Sequence, residues 1–313
     1  MGDVSADYSS LIDTETWAFI RETDSWYPPD TATKSVAEQR EIYDRMCRAF
    51  FQGYPDGVTA TDLSAGGVPA RLYEAGQPTA TVIYYHGGGF VVGGLESHDD
   101  VCSEICAQTG FRVLAVDYRL APEHKHPAAF ADAFAATQWA CEGFAGDPVV
   151  LAGDSAGGNL AASVAHHARG RLTGIVGQVL IYPGLGGPHD QGSYLTHANA
   201  PMLTAQDIAF YRMVRVAGEE PQGDPTYAPL HDSDFTGLPP TLIVTAECDP
   251  LCDDGGLYRD QIVAAGGQAH WITEPGLVHG YLRARSTVTR ARDSFARIKN
   301  GIEALAQGLW PYG

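Results

Sequence analysis

The chain has 313 residues, of which 44% are hydrophobic and 19% are charged, so it is long enough to bury the core of one large domain. Its 38 acidic and 20 basic side chains give a net charge of −18 at pH 7. That charge repels phosphate backbones and anionic lipids, which argues against nucleic-acid or membrane partners. Six cysteines without metal-ligand spacing predict reduced thiols, and nothing indicates a metal or cofactor.

The first twenty residues carry four acidic side chains and lack the basic and apolar regions of a signal peptide. No stretch approaches the roughly 18 consecutive apolar residues that a membrane-spanning helix needs. We therefore expect a cytoplasmic protein.

The N-terminal part of the chain, residues 1–52, has helical spacing that is interrupted at Trp26–Asp30. Ser35 and Glu38 fit a capping box at the start of the second helical piece. These helices precede every predicted strand. We expect them to cover the core.

Strands begin with a predicted hairpin, formed by Val58–Leu63 and Val68–Glu74 on either side of a glycine turn. From Thr81 to Tyr182, apolar strands alternate with helices. The predicted elements are strand 81–85, helix 97–108, strand 112–117, helix 128–141, strand 149–152, helix 156–168 and strand 177–182. Such alternation indicates a mainly parallel sheet with helices on both faces.

The alternation stops between residues 185 and 222, a segment rich in glycine, histidine and proline that also holds a helix predicted at 204–216. It resumes with strand 241–246, helix 255–265, strand 268–273 and helix 286–305. We expect residues 53–184 and 223–313 to form the core and residues 185–222 to form an insertion over the sheet, able to act as a lid. The strand at 268–273 is expected at a sheet edge, which makes a homodimer a candidate assembly.

A serine between small residues follows the strand at 149–152, in the sequence Gly153-Asp154-Ser155-Ala156-Gly157. Strand, tight turn and helix form the context of a nucleophile elbow, where small neighbours let the backbones pass closely and the serine hydroxyl is exposed. The same letters occur in ordinary turns, but the flanking elements favour a nucleophile. Asp154 is a candidate structural acceptor beneath the loop.

A serine nucleophile needs a base, and the base needs an orienting group. Among 11 histidines, His279 stands out because it follows the last predicted strand, after the nucleophile in the chain. Asp249 ends the preceding strand and is the candidate acid. The order serine, acid, histidine is that of the α/β-hydrolase fold. The alternative acids in the same turn are Glu247, Asp253 and Asp254.

Three consecutive glycines follow the strand at 81–85, in the sequence His86-Gly87-Gly88-Gly89-Phe90. They do not match a phosphate-binding loop, which would carry GxGxxG or a lysine. Glycine lets backbone N–H groups approach a developing oxyanion closely. With the amide of Ala156, those of Gly88 and Gly89 make three candidate donors for an oxyanion hole.

Together these motifs resemble the bacterial hormone-sensitive-lipase-like (family IV) carboxylesterases of the α/β-hydrolase superfamily. The resemblance rests on residues 86–90, 153–159, 249–251 and 279–280, and it covers nearly the whole chain from Thr81 to His279. Residues 117–124, with the sequence DYRLAPEH, match as well but suggest no chemistry. We interpret them as a structural turn in which Arg119 and Glu123 form an ion pair.

The resemblance implies that Ser155 attacks an ester carbonyl, that His279 serves as base and then acid, and that Asp249 orients His279. It also implies that residues 1–52 and 185–222 form a helical cap over an acyl pocket. Two departures from the family pattern are Tyr281, where phenylalanine is usual, and Cys252, where a basic residue is common. The candidate pocket walls are Trp17, Trp26, Phe90, Met202, Phe210 and Tyr211.

The sequence therefore favours a serine carboxylesterase that acts on short- to medium-chain acyl esters, small molecules, without metal or cofactor. The same acyl-enzyme would also serve an amidase, a deacetylase or an acyltransferase. A non-catalytic ligand receptor on this scaffold is a third possibility. Such a receptor can dispense with the base, whereas this chain keeps the serine, the acid and the histidine.

Overall fold

One mixed sheet of eight strands organises residues 6–313, which are the residues described by the computed structural model. The spatial order is β1-β2-β4-β3-β5-β6-β7-β8. The β1–β2 and β2–β4 pairs are antiparallel and the remaining pairs are parallel. The strands are β1 Thr59–Ala65, β2 Val68–Glu74, β3 Thr81–Tyr85, β4 Arg112–Val116, β5 Val149–Asp154, β6 Ile175–Ile181, β7 Thr241–Cys248 and β8 Ala269–Val278.

Helices flank this sheet and also precede it in the chain. They are α1 Tyr8–Leu11, α2 Thr14–Ser25, α3 Val36–Ala49, α4 Asp99–Thr109, α5 Ala128–Gly143, α6 Ala156–Ala168, α7 Ser193–Thr196, α8 Ala205–Arg215, α9 Cys252–Ala264 and α10 Thr289–Ala306. Short 3₁₀ turns occupy Thr31–Thr33, Pro229–His231 and Tyr281–Ser286. In residues 6–313 no helix is both long and apolar enough to cross a membrane.

The predicted α/β-hydrolase fold class, with a mostly parallel sheet and flanking helices, is confirmed. The central strands β3 and β5 are buried along their whole length, as expected for parallel strands with both faces covered. The predicted hairpin forms with Ala65 paired to Val68. The capping box of Ser35 and Glu38 is present at the start of α3.

The last strand is longer than the sequence predicts, because β8 continues past Pro275 and Gly276 to Val278. β8 is the edge strand beside β7, and an edge position tolerates the missing N–H of proline. The register shifts between Ala246 and Cys248, where the strand pair bends. As a result His279 follows the strand directly.

The N-terminal helices are anchored in the hydrophobic core by some of their side chains. Phe19 of α2 and Phe50 after α3 are buried in one cluster with Ile298 and Ile302 of α10. The backbone N–H of Thr289, at the start of α10, donates to a Glu15 carboxylate oxygen at 2.7 Å. The two ends of the chain therefore pack together. Residues 1–5 of the predicted cap segment lie outside the described residues.

The predicted ion pair of Arg119 with Glu123 is wrong. Arg119 donates to both carboxylate oxygens of Asp132 on α5, each at 2.8 Å. Glu123 instead accepts two hydrogen bonds from Arg40 on α3, at 3.0 and 2.7 Å. The turn at 117–124 thus joins the N-terminal helices to the sheet. Contacts between such distant parts of the chain could not be predicted from residues that are neighbours in the sequence.

Candidate active site

Ser155 lies between the end of β5 and the start of α6 in a backbone conformation that is rare for residues with a side chain, φ +55° and ψ −117°. Its N–H donates to the carbonyl of Ile181 at 2.8 Å. A Cβ atom at Gly157 would overlap the Tyr85 carbonyl, and one at Gly153 would overlap the Gly157 carbonyl. The glycines therefore allow the close passage that holds the turn.

Three side chains, from the ends of β5, β7 and β8, form a continuous hydrogen-bonded row. The Oγ atom of Ser155 is 2.9 Å from Nε2 of His279, and Nδ1 of His279 is 2.7 Å from Oδ2 of Asp249. Asp249 is fully buried, and its Oδ1 accepts the Leu251 N–H at 2.9 Å. A carboxylate accepts only, so Nδ1 carries the proton and Nε2 is free to accept the serine proton.

The alternative acids are engaged elsewhere. A carboxylate oxygen of Glu247 accepts the Gly276 N–H at 2.7 Å, and one of Asp253 accepts the Ser193 N–H at 2.8 Å. Asp254 accepts the backbone N–H groups of residues 185–187. Of the four acids, Asp249 is the one that meets the histidine.

The glycine loop lies beside the serine, and Gly88, Gly89 and Ala156 line the same cavity as Ser155. Gly88 and Gly89 have positive φ values, +125° and +61°. Within residues 6–313 the N–H groups of Gly88, Gly89 and Ala156 donate no hydrogen bond. Three backbone N–H groups without an acceptor in residues 6–313 therefore belong to residues in the wall of the cavity that holds Ser155.

Asp154, whose role the sequence leaves open, supports this loop from below. Its Oδ1 accepts the Gly87 N–H at 3.0 Å and the Tyr84 hydroxyl at 2.8 Å. Despite its burial, the pKa of Asp154 lies well below its usual value, because His98, Arg283 and Tyr84 favour the ionised form. The carboxylate thus fixes the first glycine of the loop.

His86 gives the loop a second support. Its ring stacks on Tyr118 with centroids 4.2 Å apart, and the Tyr118 hydroxyl donates to the His86 carbonyl at 2.6 Å. Burial, with His98 nearby, lowers the pKa of His86 to about 3, so the imidazole is neutral. Tyr118 belongs to the turn at 117–124, which the sequence left without chemistry.

Comparison with known proteins agrees with this geometry. Residues 82–283 match the family model described as alpha/beta hydrolase fold. The chain is 36% identical over 295 residues to Carboxylesterase NlhH of Mycobacterium tuberculosis, covering 90% of this chain and 86% of that protein. The chain belongs to the hormone-sensitive-lipase-like carboxylesterase family of α/β hydrolases.

Two solved structures of esterases are similar throughout. A hyperthermophilic esterase from the archaeon Pyrobaculum calidifontis is 32% identical with a TM-score of 0.83, covering 95% of this chain and 99% of that one. An esterase described as a member of the bacterial hormone-sensitive lipase family is 27% identical with a TM-score of 0.85, covering 94% and 99%. The similarity therefore includes the N-terminal helices and the insertion.

The cavity of this carboxylesterase-family chain has a volume of about 1010 Å³. Its walls include four of the six predicted pocket residues, namely Phe90, Met202, Phe210 and Tyr211. The Tyr211 ring lies so close to Gly89 that a Cβ atom there would overlap it. The helix α8 thus touches the glycine loop directly.

The two predicted tryptophan walls do not line this cavity. Trp17 is partly buried against the core cluster, and Trp26 is 40% exposed. Tyr27 and Tyr43 line the cavity in their place. Helical spacing identifies apolar positions, but the direction of each aromatic ring depends on packing that the letters do not specify.

One further cavity residue, Arg215 at the end of α8, is not marked by any sequence signal. An arginine in the last turn of a helix ordinarily complements the helix dipole at the surface. Here Arg215 is only 7% exposed and its side chain lines the cavity.

The two residues that depart from the family pattern, Tyr281 and Cys252, each lie beside a neutral hydroxyl group. Tyr281 is fully buried, and its hydroxyl lies 2.7 Å from the Ser294 hydroxyl. The Cys252 sulfur lies 3.5 Å from the Thr245 hydroxyl, and burial raises the pKa of its thiol to about 12. A neutral pair therefore stands where a basic residue is common.

Proposed function

We propose that this protein is a serine carboxylesterase that hydrolyses short- to medium-chain acyl esters through an acyl-enzyme on Ser155. The observation that carries the proposal is the row of hydrogen bonds from Ser155 through His279 to Asp249, at 2.9 and 2.7 Å, which opens on a cavity of about 1010 Å³. Family membership, and the carboxylesterase name of its relative, support esters as the substrate class.

In the first step His279 takes the proton of Ser155 while the serine oxygen attacks the ester carbonyl. Negative charge develops on the carbonyl oxygen, where the N–H groups of Gly88, Gly89 and Ala156 stabilise it. Asp249 holds the imidazole in the correct tautomer and stabilises its cation. His279 then gives its proton to the departing alcohol. In the second half of the reaction His279 takes a proton from water, the water oxygen attacks the acyl-enzyme, and the acid is released as Ser155 recovers its proton.

We propose further that residues 1–52 and 185–222 act as a cap that sets the substrate range, over a core formed by residues 53–184 and 223–313. The support comes from the cavity walls. Tyr27 and Tyr43 belong to the first segment, and Met202 and Tyr211 belong to the second.

The first test replaces the nucleophile. Ser155→Ala should reduce kcat for p-nitrophenyl acetate by about 10⁶-fold, because the acyl-enzyme no longer forms. Ser163→Ala, at a buried serine in the helix that follows Ser155, is the matched control and should keep near-normal turnover. Near-normal turnover by Ser155→Ala would contradict the proposal.

Two further measurements distinguish other uses of the same residues. Rates on an ester and on its matched anilide separate an esterase from an amidase, since only the leaving group differs. A fluorophosphonate probe should label wild-type protein and not Ser155→Ala. Failure to label the wild type would favour a ligand receptor.

We also propose a homodimer formed through the edge strand β8. Half of this strand, Ala269–Thr273, carries partly buried side chains, and its outer edge pairs with no strand in residues 6–313. Sedimentation analysis should give twice the chain mass. A monomeric mass at high concentration would contradict the proposal.

Finally, we propose that the protein works in the cytoplasm. All six cysteines are unpaired, and five of them are buried. Thiol titration of the unfolded protein, purified without reductant, should find six free thiols. Paired cysteines in protein from its natural host would point to an oxidising compartment.

A further inference from the structure

The guanidinium of Arg215 is a buried cation without a carboxylate partner. In residues 6–313 no carboxylate oxygen lies within 4.0 Å of it, and its hydrogen bonds go to neutral acceptors. These are the Tyr227 carbonyl at 3.0 Å and the Asn159 side-chain oxygen at 3.3 Å. Uncompensated buried charges are costly and therefore uncommon.

The nearest acids are held by other groups. Glu220 pairs with Arg212 on α8, and Asp224 accepts from His126 and from Thr226. Burial therefore outweighs the surrounding acids and tyrosines and lowers the pKa of Arg215 to about 10, which leaves it charged at neutral pH. At Arg283, the other buried guanidinium in the cavity wall, burial is outweighed by Cys47, Tyr43, Asp100 and Asp154, which raise its pKa.

The arginine is held rigidly and faces the cavity. Its guanidinium stacks on the ring of Phe90, 3.6 Å from the centroid, and lies 4.4 Å from that of Tyr227. The Nε–H group donates no hydrogen bond within residues 6–313. The planar guanidinium fork of Arg215, with N–H protons that have no acceptor in residues 6–313, is thus held in the cavity wall.

This fork lies close to the reacting serine. Asn159, which accepts from Arg215, is one helical turn beyond Ser155 on α6, and its N–H donates to the Ser155 carbonyl at 3.1 Å. One turn corresponds to about 5.4 Å along the helix. On the other side, Phe90 directly follows Gly89 of the glycine loop. A group bound at Arg215 would be a few bonds from the ester.

We propose that the cavity selects esters that carry a carboxylate, which binds to the free protons of the Arg215 guanidinium. The inference rests on the proposed esterase function and adds a substrate class to it. The carboxylate replaces the missing counter-ion, and charge-assisted hydrogen bonds of this kind are the strong ones. Neither family membership nor the overall charge of −18 would suggest an anionic substrate.

The test compares substrates that differ only in charge. In the first pair, monomethyl adipate and methyl adipamate, the carboxylate of the charged substrate lies in the acyl part. In the second pair, 4-acetoxybenzoate and 4-acetoxybenzamide, it lies in the alcohol part. One of the two pairs should show a preference in kcat/KM of about ten- to a hundred-fold for the carboxylate. Preference for the amide in both pairs would overturn the proposal.

Variants then assign the preference to Arg215. In Arg215→Gln the ratio of carboxylate to amide should fall to about one, and Arg215→Lys should keep part of it because the charge remains without the fork. A ratio taken within one variant does not depend on how much of the protein is folded. The double variant Arg212→Gln/Glu220→Gln removes an ion pair from the same cavity wall without changing the net charge. It should keep the wild-type ratio of carboxylate to amide. An unchanged ratio in Arg215→Gln would show a purely structural arginine.

A binding measurement separates this inference from the esterase proposal. Adipate should raise the melting temperature of wild-type protein and of Ser155→Ala, and adipamide should not. Arg215→Gln should lose the effect of adipate. If no ester, neutral or charged, is hydrolysed while adipate still binds, the esterase proposal fails and only the carboxylate site at Arg215 stands. If esters are hydrolysed and adipate has no effect, the reverse holds.

Discussion

The ends of the strands and the cap meet at the same cavity, but they hold their side chains by different means. Ser155, Asp249 and His279 follow strands whose register is fixed by the sheet, and partly buried hydrogen bonds of 2.7 and 2.9 Å join them. Tyr211, from the proposed cap, lies against the glycine loop by ring packing alone. The proposed chemistry thus depends on the sheet, and the proposed substrate range depends on packing that can vary without disturbing the sheet.

Among substitutions that test this comparison between the two regions, the largest effect is expected at the point where they touch. Gly89→Ala places a methyl group against the Tyr211 ring, at a φ of +61° that disfavours a side chain. The loop must shift, so kcat/KM for p-nitrophenyl butyrate should fall by about 10²- to 10³-fold, the usual cost of losing one oxyanion donor.

Gly266→Ala is the matched control for this substitution. Gly266 also has positive φ, +81°, but a methyl group there meets open space in the turn before β8. It should lose some stability and keep its activity. Adding Tyr211→Ala to Gly89→Ala should restore part of the rate if contact with the cap moves the loop. A wild-type value of kcat/KM in Gly89→Ala would contradict the proposed role of Gly89 as an oxyanion donor and the proposed influence of Tyr211 on the glycine loop.

An intermediate effect is expected where the insertion begins. Asp254 on α9 accepts the N–H groups of Leu185, Gly186 and Gly187, and burial raises its pKa to about 6. The folded state therefore binds the proton more tightly than the unfolded state. The stability contribution is fully present below about pH 4 and is lost as the pH rises through about 6.

Asp254→Asn should remove this pH dependence. The free energy of unfolding in urea, variant minus wild type, should rise by about 2 kcal/mol between about pH 4 and pH 7. Taking the difference cancels the other carboxyl groups, such as Asp154, whose lowered pKa gives the opposite slope. A difference that does not change with pH would show that Asp254 is ionised throughout.

The smallest effect is expected at Trp26. Its side chain is 40% exposed and does not line the cavity, so Trp26→Ala should change the relative rates on p-nitrophenyl acetate, butyrate and octanoate by less than about twofold. Met202→Ala, in the cavity wall, should change them more. A large effect of Trp26→Ala on chain-length preference would restore it as a pocket wall.

The sequence allowed the fold and the placement of the three central side chains to be predicted, since both depend on short-range patterns. An apolar strand that ends in small residues determines where Ser155 lies, and chain order points to His279 and to the acidic turn that holds Asp249 and its three alternatives. The structure brings the three together at hydrogen-bonding distance. Their catalytic roles remain predictions until the variants are measured.

The contacts of the cap could not be predicted because they join residues far apart in the chain. The ion pair of Glu123 with Arg40 spans more than eighty residues, whereas the predicted pair with Arg119 relied on closeness in sequence. The burial of Arg215 could not be predicted because it depends on packing against Phe90 and Tyr227, which are separated from it in the sequence. Side-chain direction in such regions is set by tertiary packing.

The packing of α2 and α3 against α10 has a consequence for synthesis on the ribosome. Phe19 and Phe50 emerge first, but Ile298 and Ile302, which share their cluster, emerge last. Until then the apolar faces of the leading helices are exposed to other nascent chains and to chaperones. We expect the ribosome-bound chain to remain sensitive to proteases in the segment of α2 and α3 until α10 has emerged.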